Sequence, residues 1–385
     1  MNLIRKNIKI LKNKKTFCWI LLYIIMFLFP WILTYAIRLD FDVEDVGRYD
    51  KSEFPIPGKG NLLNYTKNLE EFLVDRIPYR NLFIQYHGKF NMWLGESPST
   101  RVVIGDEGWL FLSDTIKDYK HCNLYTQEEL RDISAKLEHI SNCCREQGTE
   151  LIICIAPNKA SIYGEDYLPN TIIKLDGPSR TEQLATYIEE NTDIEMLFLE
   201  GAVLEAKNTY PTYPLFLHLD THWNYLGGYW GSRALLGKLQ ISLKDFDELE
   251  LEKISETCLL WNGYDLVNMI GLTGVMNDDV NYRVYNFSTV QANISGDAAS
   301  DMNIFYTACR SNSNSGDDRK VIFIRDSFGT MMMPYIAASF KEVYSPHISY
   351  FSMEDVKKEN ADILIWEFVE RSDIRTYIEK FDIAE

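Results

Sequence analysis

The sequence predicts an α/β fold with a doubly wound, mostly parallel sheet, preceded by one transmembrane helix near the amino terminus. From Thr126 onward, segments with apolar residues spaced by three and four alternate with short, continuously apolar runs. This alternation is typical of helices packed on a buried parallel sheet. The membrane helix is predicted by the uncharged stretch 16–37, which is rich in Ile, Leu, Phe and Trp. At about 1.5 Å per residue it can cross a hydrocarbon core of roughly 30 Å.

Charges on the two sides of this stretch predict its orientation. Residues 1–15 carry six basic and no acidic side chains, whereas acidic residues follow closely after Arg38. The positive-inside rule therefore predicts a cytoplasmic tail over 1–15, an anchor over 16–37 and an extracytoplasmic remainder at the cell membrane. A cleaved signal peptide is the alternative, which the length of the run and the lack of a clean small-x-small site disfavour. Acidic, Pro- and Gly-containing residues 38–69 are expected to form a spacer before a folded domain at 70–385.

Composition excludes some classes of function. The formal net charge is −17, from 56 acidic and 39 basic residues, which argues against nucleic acid as a partner. None of the seven cysteines forms a CxxC pair, so a zinc ribbon or a thioredoxin-like site is not expected. Free or buried thiols are the favoured interpretation.

The elements before the sheet are short. Residues 64–93 are expected to form one or two helices. Apolar residues at 102–104 and 109–111 flank Asp106, Glu107 and Gly108, a pattern that predicts a hairpin.

The helix–strand alternation begins with a capping box formed by Thr126 and Glu129 and ends its first helix at Gly148. The remaining elements are assigned from periodicity and apolar runs. Helices are expected at 181–190, 225–239 and 331–340. Strands are expected at 151–155, 194–199, 321–324, 343–344 and 363–366. Residues 255–315 are predicted to form an irregular or β-rich insertion, and the polar run 311–316 to form a loop.

Three residues in two segments could form a nucleophilic site. Ser327 follows the apolar run 321–324, so it would lie at the carboxyl edge of the sheet, where α/β folds bind ligands. A serine hydroxyl needs a base within hydrogen-bond reach, and that base needs a group that orients it. His222 and Asp220, two positions apart, could fill these roles. Each also has a structural interpretation: Ser327 as a helix N-cap, and His222 as a hydrogen-bonded loop residue.

Further residues are weaker candidates. Backbone N–H groups after Ser327 could polarise an oxyanion. Asn158 could add an amide donor to the same site, and Lys159 could hold a carboxylate or hydroxyl of a sugar, although a solvated turn explains both equally well. Trp223 could stack on a sugar ring but is more often a packing residue.

Five segments in order resemble one family: VVIGDEGWLFL at 102–112, IAPNKASIYGEDYLP at 155–169, HLDTHWN with the following GGYW, VIFIRDSFG before and after Ser327, and DILIWEFVER at 362–371. They are similar to the AlgX/AlgJ-like SGNH hydrolase-like proteins of polysaccharide O-acetylation and to the related DHHW proteins. The likeness extends from about residue 70 to the carboxyl terminus and implies an SGNH hydrolase-like catalytic domain over 70–385.

The resemblance implies a triad of Asp220, His222 and Ser327, in an order inverted from that of ordinary SGNH esterases. Two positions depart from the related patterns. Thr221 stands where DHHW proteins have a second His. Arg325 stands where ordinary SGNH esterases have a glycine, and it could clamp an anionic substrate or pair with Asp326. Glu370-Arg371 matches the family, but no role follows from the sequence.

The implied activity is an extracytoplasmic O-acetyltransferase that acts on a polysaccharide through an acetyl-serine intermediate and needs no metal or other cofactor. The resemblance also implies a multi-spanning membrane acyltransferase as partner and acetyl donor. The alternatives are a carbohydrate acetylesterase with the same triad, and a non-catalytic membrane-anchored scaffold or polysaccharide-binding protein.

Overall fold

A computed structural model describes most of the chain. The described residues are 14–36, 53–55, 62–74, 79–254, 264–277, 279–289, 292–296, 308–313, 316–379 and 381. Contacts divide the chain into two compact units, 1–93 and 94–385. The expected cytoplasmic tail, most of the expected spacer and parts of the expected 255–315 insertion lie outside the described residues.

The first unit contains three described helices: α1 (Lys14–Ala36), α2 (Leu62–Val74) and α3 (Arg80–Trp93). The helices expected within 64–93 are thus present. Among the described residues, no helix combines the length and the apolarity that crossing a membrane requires. The anchor over 16–37 therefore stays a prediction.

The second unit begins with the predicted hairpin. Strands β1 (Val102–Ile104) and β2 (Leu110–Leu112) pair antiparallel. A short 3₁₀ turn at Asp106–Gly108 joins them and ends at Gly108, whose φ of +84° suits a residue without a Cβ. Leu110 and Phe111 are fully buried, so the hairpin belongs to the core.

Helical segments and strands then alternate as predicted, except at 281–324, where four strands follow one another. Up to residue 254 the elements are α4 (Ile116–Tyr119), α5 (Gln127–Glu146), β3 (Glu150–Ala156), α6 (Lys159–Tyr167), α7 (Arg180–Asn191), β4 (Glu195–Phe198), α8 (Glu200–Thr209), α9 (Tyr225–Lys238) and β5 (Glu250–Ile254). After it they are α10 (Asp265–Met269), β6 (Asn281–Tyr285), β7 (Ala292–Gly296), β8 (Cys309–Ser313), β9 (Asp317–Ile324), α11 (Ser327–Ser339), β10 (Phe340–Ser345), α12 (Met353–Glu359), β11 (Ile363–Val369) and α13 (Ile374–Ile378).

The main sheet is mixed, with the strand order β4-β3-β11-β9-β10-β8-β7. The first five strands are parallel, whereas β8 and β7 add antiparallel pairs at one edge. A separate two-stranded sheet pairs β5 with β6. The fold is therefore α/β with a mixed sheet, in which the parallel part matches the predicted alternation.

The polar run at 311–316 is not simply a loop, because Ser311 and Ser313 belong to β8. Along this strand Cys309, Ser311 and Ser313 are buried and the residues between them are exposed. Pairing with β10 satisfies the backbone. The prediction failed because Ser and Asn have low strand propensity, while tertiary pairing decides the conformation of such a segment.

The core between the sheet and the helices is apolar, and it holds the central strands in place. Ile153 and Ile155 of β3, together with Leu364 and Trp366 of β11, pack in one buried cluster with the apolar face of α5. Strand β11 lies between β3 and β9. Because these strands are parallel, the residues that follow each of them meet at one edge of the sheet.

Candidate active site

Ser327 is the first residue of α11, three positions after β9 ends at Ile324. The helix starts four positions earlier than the periodicity predicted. Its N-cap is Asp326, whose carboxylate accepts a hydrogen bond from the Phe328 N–H at 2.7 Å. The interpretation of Ser327 as an N-cap is therefore wrong, and its hydroxyl is available for another contact.

Asp326 also ties this turn to the neighbouring strand. Its second carboxylate oxygen accepts from the Val369 N–H at 2.9 Å, and its own N–H donates to Glu367 Oε2 at 3.1 Å. Gly329 allows the close approach of Glu367, because a Cβ at Gly329 would lie 2.3 Å from Glu367 Oε2. Burial, together with the nearby Asp326 carboxylate, raises the pKa of Glu367 well above its ordinary value. Ser327 is thus held against β11.

A loop before α9 supplies the other two candidate residues. Phe216 and Trp223 form an isolated β-bridge, and the Leu217 N–H donates to the His222 carbonyl at 3.1 Å. Trp223 is fully buried and donates its Nε1–H to the Phe328 carbonyl at 2.9 Å. This bond joins the loop to α11. Trp223 therefore packs in the core and holds the loop against α11, and it is not exposed for stacking on a sugar.

The two segments bring Asp220, His222 and Ser327 into one hydrogen-bonded row. His222 Nδ1 lies 2.6 Å from Asp220 Oδ1, and His222 Nε2 lies 2.8 Å from Ser327 Oγ. When the imidazole is neutral and Nδ1–H donates a hydrogen bond to Asp220, Nε2 can accept a hydrogen bond from the Ser327 hydroxyl. The arrangement has the geometry required for a nucleophile, a general base and an orienting carboxylate.

Electrostatics favour an ionised Asp220 beside a basic His222. Burial alone would raise the pKa of Asp220, but His222 and two backbone N–H donors hold it below its usual range. Burial alone would lower the pKa of His222, but the charge and hydrogen bond of Asp220 outweigh this effect and raise it. A base of this kind accepts the serine proton readily near and above neutral pH.

Asp265 joins this site, although the sequence analysis did not single it out. Its carboxylate accepts from the Thr221 N–H at 2.8 Å and from the Thr221 hydroxyl at 2.5 Å. Its own N–H donates to Asp220 Oδ2 at 2.9 Å. Thr221 stands at the position where DHHW proteins have a second His, and here it donates two hydrogen bonds to the Asp265 carboxylate. Burial and the Asp220 charge raise the pKa of Asp265 to about 6.

Asp265→Asn should move the acidic limb of the kcat/KM profile to lower pH. The Asp265 charge raises the pKa of His222, so removing it lets the imidazole lose its proton at a lower pH. The plateau should also fall about tenfold, as expected for one lost hydrogen bond to a charged group. Thr221→Val is the control, since it breaks a bond but keeps the charge. An acidic limb that stays in place in Asp265→Asn would contradict this account.

The ammonium of Lys159 does not face a substrate, although the sequence prediction required this. The side chain is buried, and its ammonium donates to the carbonyls of Leu217, His218 and Asp220 at 3.0, 3.0 and 2.6 Å. Burial lowers the pKa of Lys159 to about 8. All three N–H donors of the ammonium are used within the protein, so Lys159 positions the Asp220 segment and does not hold a sugar.

Asn158 is likewise occupied within the protein. Its Nδ2–H donates to Asp118 at 3.2 Å, and its backbone N–H donates to Glu370 Oε2 at 2.9 Å. Glu370 also accepts from the Ser161 hydroxyl at 2.6 Å, and burial raises its pKa to about 8. Asn158 therefore belongs to a buried polar cluster, and the oxyanion role predicted for its amide is not supported.

Arg325 is fully buried, and its guanidinium donates to Cys309 Sγ at 3.1 Å. A buried guanidinium cannot clamp a substrate, so that interpretation is not supported. Cys309 and the other five described cysteines, Cys18, Cys122, Cys143, Cys144 and Cys154, form no disulfide among the described residues.

A pocket of about 410 Å³ opens beside Ser327. Its walls come from the Asp326 turn, from 347–349 after β10 and from the segment that follows β11. The lining residues are mostly polar: Asp326, Ser327, His347, Ile348, Ser349, Val369, Arg371, Ser372, Asp373, Thr376 and Tyr377. Hydroxyl and charged groups around a serine suit a polar substrate.

Within the described part of the chain, one group of side chains could present ligand atoms to a metal: Asp220, His222 and Asp265, whose atoms lie within 4.8 Å of one another. The hydrogen bonds described above account for the same atoms. His222 Nδ1 bonds Asp220, and both Asp265 oxygens bond Thr221.

Comparisons with known proteins point in one direction. The model of a family described as "SGNH hydrolase-like domain, acetyltransferase AlgX" matches residues 102–370. The chain is also 24% identical over 281 residues to the probable alginate O-acetylase AlgJ of Azotobacter vinelandii, covering 70% of this chain and 69% of that protein.

Solved structures show the same fold at low identity. A DHHW family protein from Eubacterium siraeum matches with a TM-score of 0.51 and 14% identity, over 74% of this chain and 99% of that one. Bacillus cereus PatB1, solved with a sulfonyl adduct, matches with a TM-score of 0.51 and 15% identity, over 72% of this chain and 98% of its own. These likenesses bear on the fold alone.

Proposed function

Because this chain belongs to the AlgX family of SGNH hydrolase-like acetyltransferase domains, we propose that it transfers acetyl groups to a hydroxyl of a cell-surface or secreted polysaccharide. The family resemblance carried by the sequence motifs is thereby confirmed. The observation that carries the proposal is the row Asp220–His222–Ser327, with distances of 2.6 and 2.8 Å. This row opens on a polar pocket large enough for part of a sugar chain.

In the first half-reaction Ser327 takes the acetyl group. His222 Nε2 accepts the hydroxyl proton while Oγ attacks the acetyl carbonyl, and Asp220 stabilises the imidazolium that forms. The same imidazolium then gives its proton to the leaving group of the acetyl donor. An acetyl ester of Ser327 remains.

In the second half-reaction a sugar hydroxyl replaces the donor. His222 removes the proton of the sugar hydroxyl while the sugar oxygen attacks the acetyl carbonyl. The bond from that carbon to Ser327 Oγ then breaks, and His222 returns the proton to Oγ. Water in the same place would give acetate, which is the esterase outcome. Transfer therefore depends on holding the acceptor hydroxyl better than water, and effective molarities of roughly 10⁵ M or more show that positioning can achieve this.

An acceptor-dependent product should distinguish transfer from hydrolysis. The full-length chain, given a chromogenic acetyl ester and a panel of oligosaccharides, should divert acetyl from free acetate to sugar ester. Mass spectrometry should show the gain of acetyl on the acceptor, and the gain should vanish in Ser327→Ala. If no acceptor gains acetyl while acetylated polysaccharide is steadily stripped, the protein is an esterase.

The proposal includes a location outside the cytoplasm and a partner in the membrane. The six basic residues before 16–37 support this orientation. An anchored domain cannot itself carry an acetyl donor across the membrane, so a multi-spanning acyltransferase is the proposed donor.

A reporter that works only in the cytoplasm, fused after Glu385, should be inactive. Protease added to intact protoplasts should remove the folded domain, whereas a cytoplasmic control protein should survive. An active reporter together with protection from protease would overturn the location and, with it, an extracellular polysaccharide as acceptor.

A further inference from the structure

The oxyanion that forms during acyl transfer needs donors other than those expected from the sequence. The amide directly after Ser327 is already used, because the Phe328 N–H donates to Asp326 at 2.7 Å. The Gly329 backbone lies against the buried Glu367 carboxyl, which a Cβ at Gly329 would meet at 2.3 Å.

The side-chain donors proposed from the sequence are also committed. Asn158 donates to Asp118, and Lys159 donates to three carbonyls. Neither residue lines the pocket beside Ser327. In the described part of the chain, the backbone N–H of Ser327 has no acceptor, which leaves one amide at the nucleophile itself.

Arg371 is the cation that faces this pocket together with Ser327. Its guanidinium carbon lies 5.0 Å from the centre of the Phe328 ring, and the His222 ring centre lies 5.1 Å from the same point. Imidazole and guanidinium thus border one buried aromatic ring directly after the nucleophile. Among the described residues, no carboxylate forms an ion pair with Arg371, so its donors are available.

The charge of Arg371 also acts on the triad. It opposes protonation of His222 and so partly offsets the raised pKa of the imidazole. A cation near the base would hinder the first proton transfer unless it also met a charge of opposite sign. The developing acyl oxyanion is such a charge, and a guanidinium already positioned beside it can stabilise it.

We propose that Arg371 and the backbone N–H of Ser327 together stabilise the oxyanion of acyl transfer, which makes Arg371 a catalytic residue. The inference rests on the proposed acyl transfer. As Ser327 Oγ bonds to the acetyl carbon, the carbonyl π electrons move onto oxygen, and His222 holds the serine proton. When the C–O bond to the leaving group breaks, the electrons return to the carbonyl and His222 protonates the leaving oxygen.

The test uses the full-length chain with p-nitrophenyl acetate, an ester that carries neither a sugar nor a carboxylate. Arg371→Met should lower kcat by about 10²- to 10³-fold, the usual loss for one oxyanion donor, with a small change in KM. Arg371→Lys should recover part of the loss, since it keeps the charge without the planar fork. Arg233→Met is the control, because it changes the net charge equally at a residue of α9 that bonds Tyr229, Lys244 and Asp245 and does not line the pocket.

A second readout separates stabilisation of charge from a structural role. Phenylboronic acid forms a tetrahedral anionic adduct with an active serine, so its inhibition constant should rise in Arg371→Met by a factor comparable to the loss in kcat. Unchanged kcat and unchanged boronate affinity would overturn the inference. A loss confined to carboxylate-bearing acceptors would also overturn it and make Arg371 an acceptor-binding residue. If Arg371→Met does not fold, Arg371→Lys decides by the same two readouts. Full activity of Ser327→Ala would instead remove the proposed function itself.

Discussion

Replacing Ser327 by alanine should lower acetyl-ester turnover by about 10⁴-fold or more and leave the domain folded. The change removes the nucleophile, and the remaining rate comes from binding and charge stabilisation alone. Stability should change little, because the cap of α11 is Asp326 and the Ser327 hydroxyl bonds only His222 among the described contacts. Turnover of a chromogenic acetyl ester and thermal unfolding measure the two effects.

Ser345→Ala is the matched control. Ser345 is a buried serine of β10 whose hydroxyl donates to the Phe323 carbonyl at 2.8 Å, and it does not touch the triad. This variant should lose a little stability, about 1 kcal/mol, and keep its turnover. A folded Ser327→Ala protein with full turnover would contradict covalent catalysis by Ser327.

Asp220→Asn should lower kcat by about 10⁴-fold, because an amide no longer fixes the tautomer of His222 or stabilises the imidazolium. His222→Ala should be similarly impaired. Either change combined with Ser327→Ala should cost little more than Ser327→Ala alone, because residues that act as one unit are not additive. Steady-state kinetics of the two single and the double variants measure the interaction.

Asp279→Asn provides the comparison for Asp220→Asn. Asp279 is also a buried carboxylate of this region, and it accepts from the N–H groups of His218 and Leu219 at 2.9 and 2.8 Å without bonding His222. Its loss should reduce stability more than turnover. Fully additive losses in the Asp220→Asn, Ser327→Ala pair would show that the three residues do not act together.

The pairing of the three candidate residues could be predicted because each lies next to a strongly patterned element. The apolar run at 321–324 located Ser327 at a strand end, and the helix beginning at Tyr225 placed His222 just before it. The Thr126–Glu129 capping box is present, with bonds of 2.8 and 3.2 Å. These features depend on neighbours in the sequence, which a single chain displays.

The residues that support the site could not be predicted in the same way. Asp265 reaches Thr221 across 44 positions, and no local pattern marks a carboxylate that binds a distant amide. Lys159 was placed at the correct edge of the sheet, but packing turned its ammonium towards three carbonyls. At α11 periodicity alone started the helix at 331, whereas Asp326 caps it and Ser327 is its first residue. Side-chain direction, unlike element type, is decided by tertiary contacts.

The bond from the Val369 N–H to Asp326 helps to divide the site into a part with fixed geometry and a part that is open to substitution. The nucleophile is fixed through a buried carboxylate to the backbone of a central strand, and the base through Trp223 and Lys159 to the core. Three other residues of the pocket, Ser349, Ser372 and Thr376, are exposed or half-buried, and none of the hydrogen bonds described for them joins the triad. Substitutions there can therefore change the shape of the pocket while the Ser327–His222 and His222–Asp220 distances stay the same. For the proposed transferase, this would let the acceptor change without a change in the chemistry.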